Sequence, residues 1–267
     1  MTKPADGEIR GTRPSRRGDP PFLLLAAIDL LEGQVVRLTH GDPRQATVYP
    51  MSPPAAASRW AAEGADLVHV VDLDGALGGR VQQWTALRGL AATARAAGVE
   101  CEIAGGIRDA ATAARLLAMG VARVVLGTAV LRDPALARRL VDRHGSARIV
   151  AALDVRAGLA VGEGWARDAR GWDVDVALST LIGAGVTQFE VTAITRDGTL
   201  TGPDLALLQR VRDRAPEVTL IASGGVHRPD EIRALRDLGA NGVILGRALY
   251  DGAVSLADAR AALTGQG

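Results

Sequence analysis

Two stretches of this chain are versions of one another. The first, "AGGIRDAATAARLLAMGVARVVLGTA", runs from Ala104 to Ala129, and the second, "SGGVHRPDEIRALRDLGANGVILGRA", opens at Ser223. Each begins with a small residue and a Gly-Gly pair and carries a glycine at the same later step (Gly120, Gly239). Each ends in a β-branched run closed by Leu-Gly-Thr or Leu-Gly-Arg. The interval from Gly105 to Gly127 equals that from Gly224 to Gly246. A chain that builds one strand–helix–strand device twice is confined to folds that divide into two related halves.

The periodicity around the repeat narrows the choice. Short apolar runs at Phe22–Asp29, Leu67–Asp72, Val99–Ala104, Arg123–Gly127, Arg148–Asp154, Gln188–Thr192, Val218–Ser223 and Gly242–Gly246 read as strands. Between them, Ala/Leu/Arg-rich segments of helical period lie near 54–63, 83–97, 109–119, 133–143, 173–184, 204–215, 228–238 and 247–263. Strands that are apolar throughout and alternate with helices belong to a parallel sheet covered on both faces. Eight such units predict an α/β TIM (β/α)8 barrel built from two duplicated half-barrels. The rival, an open doubly wound sheet, has no need of eight even units. Residues 21–267 are expected to form a single catalytic domain, behind a disordered tail over residues 1–20 that has no apolar core for a secretory signal.

Composition removes several function classes. A net charge of +1 over 267 residues disfavours a general nucleic-acid or membrane binder. The longest apolar run, "FLLLAAIDLL", is broken by Asp29 and is too short for a bilayer span. The single cysteine, Cys101, excludes an intrachain disulfide and reads as a buried core thiol, which suits a cytoplasmic protein. Lys3 is the only lysine, so no barrel lysine exists for a Schiff-base mechanism. His40, His69, His144 and His227 lack metal-ligand spacing. No cofactor and no metal are expected.

Chemistry in such a barrel gathers at the carboxyl ends of the strands. There the Gly-Gly and Gly-Thr or Gly-Arg loops can bring backbone N–H groups up to an anion, although glycines also serve tight turns. Two paired copies make two cradles, and the expected ligand carries a phosphate at each end. Asp29 and Asp154 close strands one and five at equivalent places in the two halves, and Asp72 and Asp74 follow strand two. Asp29 and Asp154 could face each other as base and acid, or simply cap turns.

Taken together, "AAIDLLEGQVVRLTHGD", "VHVVDLDGALGG", "IAGGIRD", "VVLGTAVL", "ALDVRAG…GEGW", "TRDGTLTGPD", "IASGGV" and "VILGRALYDG" resemble the phosphoribosyl isomerases of histidine biosynthesis from residue 22 to about 252. The resemblance to the cyclase subunit of imidazole glycerol phosphate synthase is weaker. The resemblance implies a cofactor-independent Amadori aldose–ketose isomerisation of the phosphoribosyl-formimino-aminoimidazole-carboxamide ribonucleotide, and a monomer with no nucleic acid or membrane partner is expected. It implies Asp29 as general base and Asp154 as general acid, with Thr192 beside them. Gly105, Gly106, Gly127 and Thr128 would hold one phosphate, and Gly198, Ser223, Gly224, Gly225, Gly246 and Arg247 the other. Arg37 and Trp165 would steady the rest of the substrate. His69, inside strand two, reads equally as a core histidine or a ligand contact.

Three positions depart from the family pattern. Ala193 stands where an acid usually follows the strand-six threonine, Glu163 where dual-activity members carry arginine, and the asparagine common near Gln83 is missing. Ala193 leaves a paralogue on another phosphoribosyl-amine, or a weakly active ribonucleotide-binding protein, as alternatives. It also leaves strand six with no substitute acid. Valine at Gly105 or Gly224 is expected to raise KM more than it lowers kcat.

Overall fold

The computed structural model describes residues 21–39, 41–162, 165 and 171–264, so the expected N-terminal tail lies outside the described residues. The first half comprises β1 (Leu23–Leu31), β2 (Gln34–Thr39), β3 (Asp42–Val48), α1 (Pro53–Ala62), β4 (Leu67–Asp72), α2 (Leu73–Gly78), α3 (Trp84–Ala96), β5 (Glu100–Ala104), α4 (Ala110–Ala118), β6 (Arg123–Leu126), α5 (Thr128–Arg132) and α6 (Pro134–His144). A 3-10 turn (Ser146–Arg148) leads into β7 (Ile149–Arg156), β8 (Leu159–Val161), β9 (Trp172–Asp173), α7 (Val174–Gly183), β10 (Gln188–Ala193), α8 (Leu205–Arg214), β11 (Thr219–Ser223), α9 (Pro229–Leu238), β12 (Gly242–Leu245), α10 (Arg247–Tyr250) and α11 (Leu256–Thr264).

Strands β1, β4, β5, β6, β7, β10, β11 and β12 pair in that order, all parallel, and β12 returns to β1. The sheet is therefore a closed eight-stranded barrel ringed by helices, as the alternation of strands and helices predicts. Aspartates start several of the helices. Asp109, Asp133, Asp173 and Asp204 each accept a hydrogen bond from a backbone N–H of the following turn, satisfying donors that the helix itself leaves unpaired. One expectation fails. The segment 247–263 is two helices rather than one, because the chain turns at Gly252 with φ +74, a conformation that ends a helix.

Two apolar clusters hold the barrel. The larger fills the space between strands and helices around Trp60 and Phe189, which are fully buried. The smaller, Leu25, Ala27, Leu67, Ile221 and Ile244, lies among inward-facing strand residues. Cys101 is buried, as expected.

The duplicated glycines have nearly matching backbones, with φ +95 and +96 at Gly105 and Gly224 and +88 and +98 at Gly120 and Gly239. At Gly105 a Cβ would run into the backbone carbonyl of Asp72, and at Gly224 it would lie 3.1 Å from the carbonyl oxygen of Ala193. Valine at either position therefore strains the backbone, so a loss of folding stability is expected beside the larger effect on KM than on kcat. Gly33 provides a control, because its φ is +77 yet nothing lies within 4 Å of its Cβ position. Gly33→Ala should cost about 1 kcal/mol, the left-handed backbone penalty alone. Gly105→Ala should cost more than ~2 kcal/mol in urea unfolding, because close approach adds to that penalty. Equal losses would show that close approach is not what demands glycine.

Candidate active site

Two short hairpins fold back over the carboxyl end of the barrel, one in each half. After β1 the chain reverses through Glu32 and Gly33 (φ +50 and +77), and after β7 through Ala157 and Gly158 (φ +51 and +79). Two successive positive φ values make a tight hairpin turn whose twist suits antiparallel strands. The first return strand sets Val36 opposite Asp29, and the second sets Val161 opposite Asp154. The two acids thus occupy equivalent places in the two halves, each at a strand end covered by its own hairpin.

Both acids line one cavity, together with Arg37, Gly105, Gly106, Gly127, Thr128, Trp165, Thr192 and Ser223. A smaller pocket adjoins it, lined by Gly198, Gly224, Gly225, Gly246 and Arg247 and sharing Arg37, Asp197 and Ser223 with the first. Every residue to which the family resemblance assigns catalysis or substrate binding reaches one of these two spaces. Gly127 and Gly246 have nearly the same backbone (φ −102, ψ −97 and φ −112, ψ −104), and each leads directly into a short helix. The repeat seen in the sequence is therefore a repeat of local geometry at two walls of the site.

Arg37 stands between the acids and the second pocket. Its Nη1 pairs with Asp29 Oδ2 at 2.8 Å, and both residues are buried. Its guanidinium also lies against Gly246, where any Cβ would collide with it. Arg247 is braced on two sides: its Nε donates to Asp251 and its Nη1 to the Gly198 carbonyl, at 2.8 and 2.7 Å. The Tyr49 hydroxyl, just beyond β3, donates to the same Asp251 at 3.0 Å.

Asp154 is differently placed. Burial pushes its carboxyl up from the usual range, opposed by hydrogen bonds from Trp165 and Thr192 and by the charge of His69. Trp165 holds a left-handed backbone (φ +65), and its carbonyl accepts a hydrogen bond from Arg156 at 2.8 Å. Its ring rests on Gly41 of the β2–β3 turn, where a Cβ would meet it. Gly41 and Trp165 both line the cavity, so the chain beyond each of the two hairpins meets there through that contact. One acid tied to an arginine and the other raised by burial is an arrangement suited to base and acid roles.

Several sequence candidates sit elsewhere. Asp72 is fully buried and accepts hydrogen bonds from the N–H groups of Gly75, Gln82 and Gln83. Asp74 accepts from the Glu32 N–H and the Gln83 amide, anchoring the first hairpin. Neither lines the two spaces, because each is occupied in holding loops together. Ala193 is buried at the end of β10 and also lines neither. Glu163 lies outside the described residues.

The sequence reading left His69 open between core and ligand contact, and it missed the two glutamates beside it on the cavity floor. His69 and Glu190 line the cavity, and with Glu102 they form a buried cluster whose ligating atoms lie within 4.8 Å of one another. His69 Nδ1 is 2.8 Å from Glu102 Oε1, and Arg123 Nε donates to Glu102 Oε2 at 2.7 Å. Asp197, on the wall shared by both pockets, was missed as well. Strand six, which lacks an acid at Ala193, therefore carries one at Glu190. A signal was available: in "QFEVTA" Gln188, Glu190 and Thr192 alternate with Phe189, Val191 and Ala193, so one face of that strand is polar.

The family model described as "Histidine biosynthesis protein" matches residues 23–255. A protein of Chloroflexus aggregans named 1-(5-phosphoribosyl)-5-((5-phosphoribosylamino)methylideneamino) imidazole-4-carboxamide isomerase is 41% identical over 237 residues, covering 88% of this chain and 95% of its own. Proteins of the same name from Symbiobacterium thermophilum and Roseiflexus sp. are 43% and 41% identical, covering 88% and 90% of this chain and 94% and 99% of theirs.

Proposed function

The chain belongs to the histidine biosynthesis protein family, and from that membership we propose that it is the isomerase of the Amadori step, acting on the phosphoribosyl-formimino-aminoimidazole-carboxamide ribonucleotide. The names of the relatives support this reading, and so does the pair of acids at equivalent strand ends. The substrate has a phosphate on each ribose. Gly105, Gly106, Gly127 and Thr128 would receive one phosphate, and Gly198, Ser223, Gly224, Gly225, Gly246 and Arg247 the other. Arg37, between the second pocket and Asp29, and Trp165, above Asp154, would hold the part between.

The chemistry follows from which acid carries a proton. Protonated Asp154 donates to the ring oxygen of the aminoaldose as the C1–O bond breaks, giving an open-chain iminium. Ionised Asp29 removes the C2 proton, and the electron pair of that C–H bond neutralises the iminium to give an enolamine. The enol proton of O2 passes to Asp154, C1 receives the proton held by Asp29, and the aminoketose is complete. Both acids end as they began, so no co-reactant is needed. Thr192, which hydrogen-bonds Asp154, steadies the donor.

The observation that carries this reading is the pair of matching glycine turns on two walls of one site. It is tested with phosphoribosylanthranilate, which undergoes the same rearrangement but has a single phosphate. Its kcat/KM should fall at least about 100-fold below that of the two-phosphate substrate, as loss of one set of charged hydrogen bonds implies. Comparable values would contradict two-phosphate recognition.

A further inference from the structure

The middle layer of this barrel is charged, although an apolar cluster fills part of its interior. Small side chains open the way down to it, because Ala27 and Ala152 line the cavity at that level. Beyond them lie His69 and Glu190, 8% and 3% exposed, with Glu102 fully buried behind. The strand register fixes the height. Glu190 is paired with Ala152 and Thr192 with Asp154, so Glu190 stands one pleat repeat, about 6–7 Å, beneath the Thr192–Asp154 pair. Glu190 Oε1 is buried without a hydrogen-bond partner and lies 3.6 Å from His69 Nδ1. A buried acceptor left unpaired is costly unless its site has a use for it.

The charged and titratable groups around this floor come from each neighbouring strand: His69 on β4, Glu102 on β5, Arg123 on β6 and Asp154 on β7. Asp29 and Arg37, paired with one another, stand on β1 and β2. The positive charge that the two glutamates require is supplied by Arg123 and His69.

We propose that the Arg123–Glu102–His69–Glu190 chain is the positioning device for the acid, controlling from below when Asp154 carries its proton. The inference rests on the isomerase reading given above. His69 is the coupling element, since its charge acts on Asp154. Burial works against that charge, but Glu190 and the hydrogen bond to Glu102 outweigh it and hold the imidazole up at about 10. Glu102 stays ionised despite burial because His69 and Arg123 hold it down. Burial, and then repulsion from Glu102, push Glu190 up to about 7. Near neutrality the floor therefore gains or loses one negative charge at Glu190, while His69 keeps its positive one. Positive charge below Asp154 favours release of its proton, and negative charge favours retention.

The test is the alkaline limb of the pH dependence of kcat/KM, which reports loss of the proton from the acid. Glu190→Gln removes the negative charge and should move that limb about one pH unit lower, while His69→Asn should move it about one unit higher. Glu190→Asp should return it towards the parent value. Titration of the 13C-labelled Asp154 carboxyl by NMR in the unliganded protein should show the same opposite displacements. Thermal unfolding checks that each variant folds, and Glu190→Gln, which keeps shape, decides the matter alone if His69→Asn does not fold. Limbs and titrations that stay in place, or that move the same way, overturn the inference, as does a raised KM with an unmoved limb. Absence of turnover in the parent protein would instead overturn the isomerase reading, and the NMR titration would still decide this one.

Discussion

Asp29→Asn should lower kcat by about 10⁴-fold, the upper end of what a positioned proton acceptor contributes. The upper end applies because Asp29 has no stand-in. Asp154 has to carry a proton for its own step, and the floor acid Glu190 lies a pleat repeat below the level of the acids and is pushed up by burial. The same change destabilises the free protein. Arg37 is 8% exposed and pairs with Asp29 at 2.8 Å, so the asparagine leaves a buried guanidinium without its main partner. Losing one member of a buried pair costs about 3 kcal/mol or more, and the charge of Asp197 beside Arg37 keeps the loss near that lower figure. Thermal unfolding should fall by several degrees, and a ligand with phosphate in the second pocket should recover most of the loss by giving Arg37 a new anion. Unchanged kcat would remove Asp29 from the mechanism, and unchanged stability would remove the ion pair from the account.

Asp154→Asn should also slow the reaction, by about 10²–10³-fold, because an amide cannot protonate the ring oxygen. Its effect on stability has the opposite sign. Burial raises the Asp154 carboxyl, so its folded-state affinity for a proton exceeds that of the unfolded chain. Such an acid contributes stability that is present at low pH and is lost as pH rises through its raised folded value. Asparagine has no charge to lose. The variant should therefore lose less stability than the parent between acid and mildly alkaline pH, and its pH–rate profile should lack the alkaline limb. A variant that loses activity but retains that limb would show that another group is the acid.

How much of this was legible in the sequence depends on the kind of signal. Strand positions were readable because each barrel strand is buried on both sides and so reads as a continuous apolar run; β4, for instance, falls where the run Leu67–Asp72 puts it. The two acids were readable because each interrupts such a run at its end. The hairpins were not singled out: β2 and β3 carry exposed polar residues such as Arg44, and the pairing of β2 with β1 is fixed by the two-residue turn Glu32–Gly33, which composition does not mark. Gly105 was read as an anion cradle, yet the backbone of Asp72 already demands glycine there. That demand comes from a loop distant in sequence. The floor cluster was hidden for a related reason. His69, Glu102 and Glu190 lie on three separate strands, and only barrel closure and register bring them within 4.8 Å of one another.

The central claim is that Asp29 and Asp154 move protons on a two-phosphate aminoaldose held across the barrel mouth. Single-turnover conversion of the phosphoribosyl-formimino-aminoimidazole-carboxamide ribonucleotide by the purified protein, with substrate deuterated at C2, tests it most directly. The account predicts formation of the aminoketose with a primary isotope effect, at a rate that falls about 10⁴-fold in Asp29→Asn while the substrate still binds. Tight binding of the same substrate with no aminoketose formed by the parent protein would contradict it.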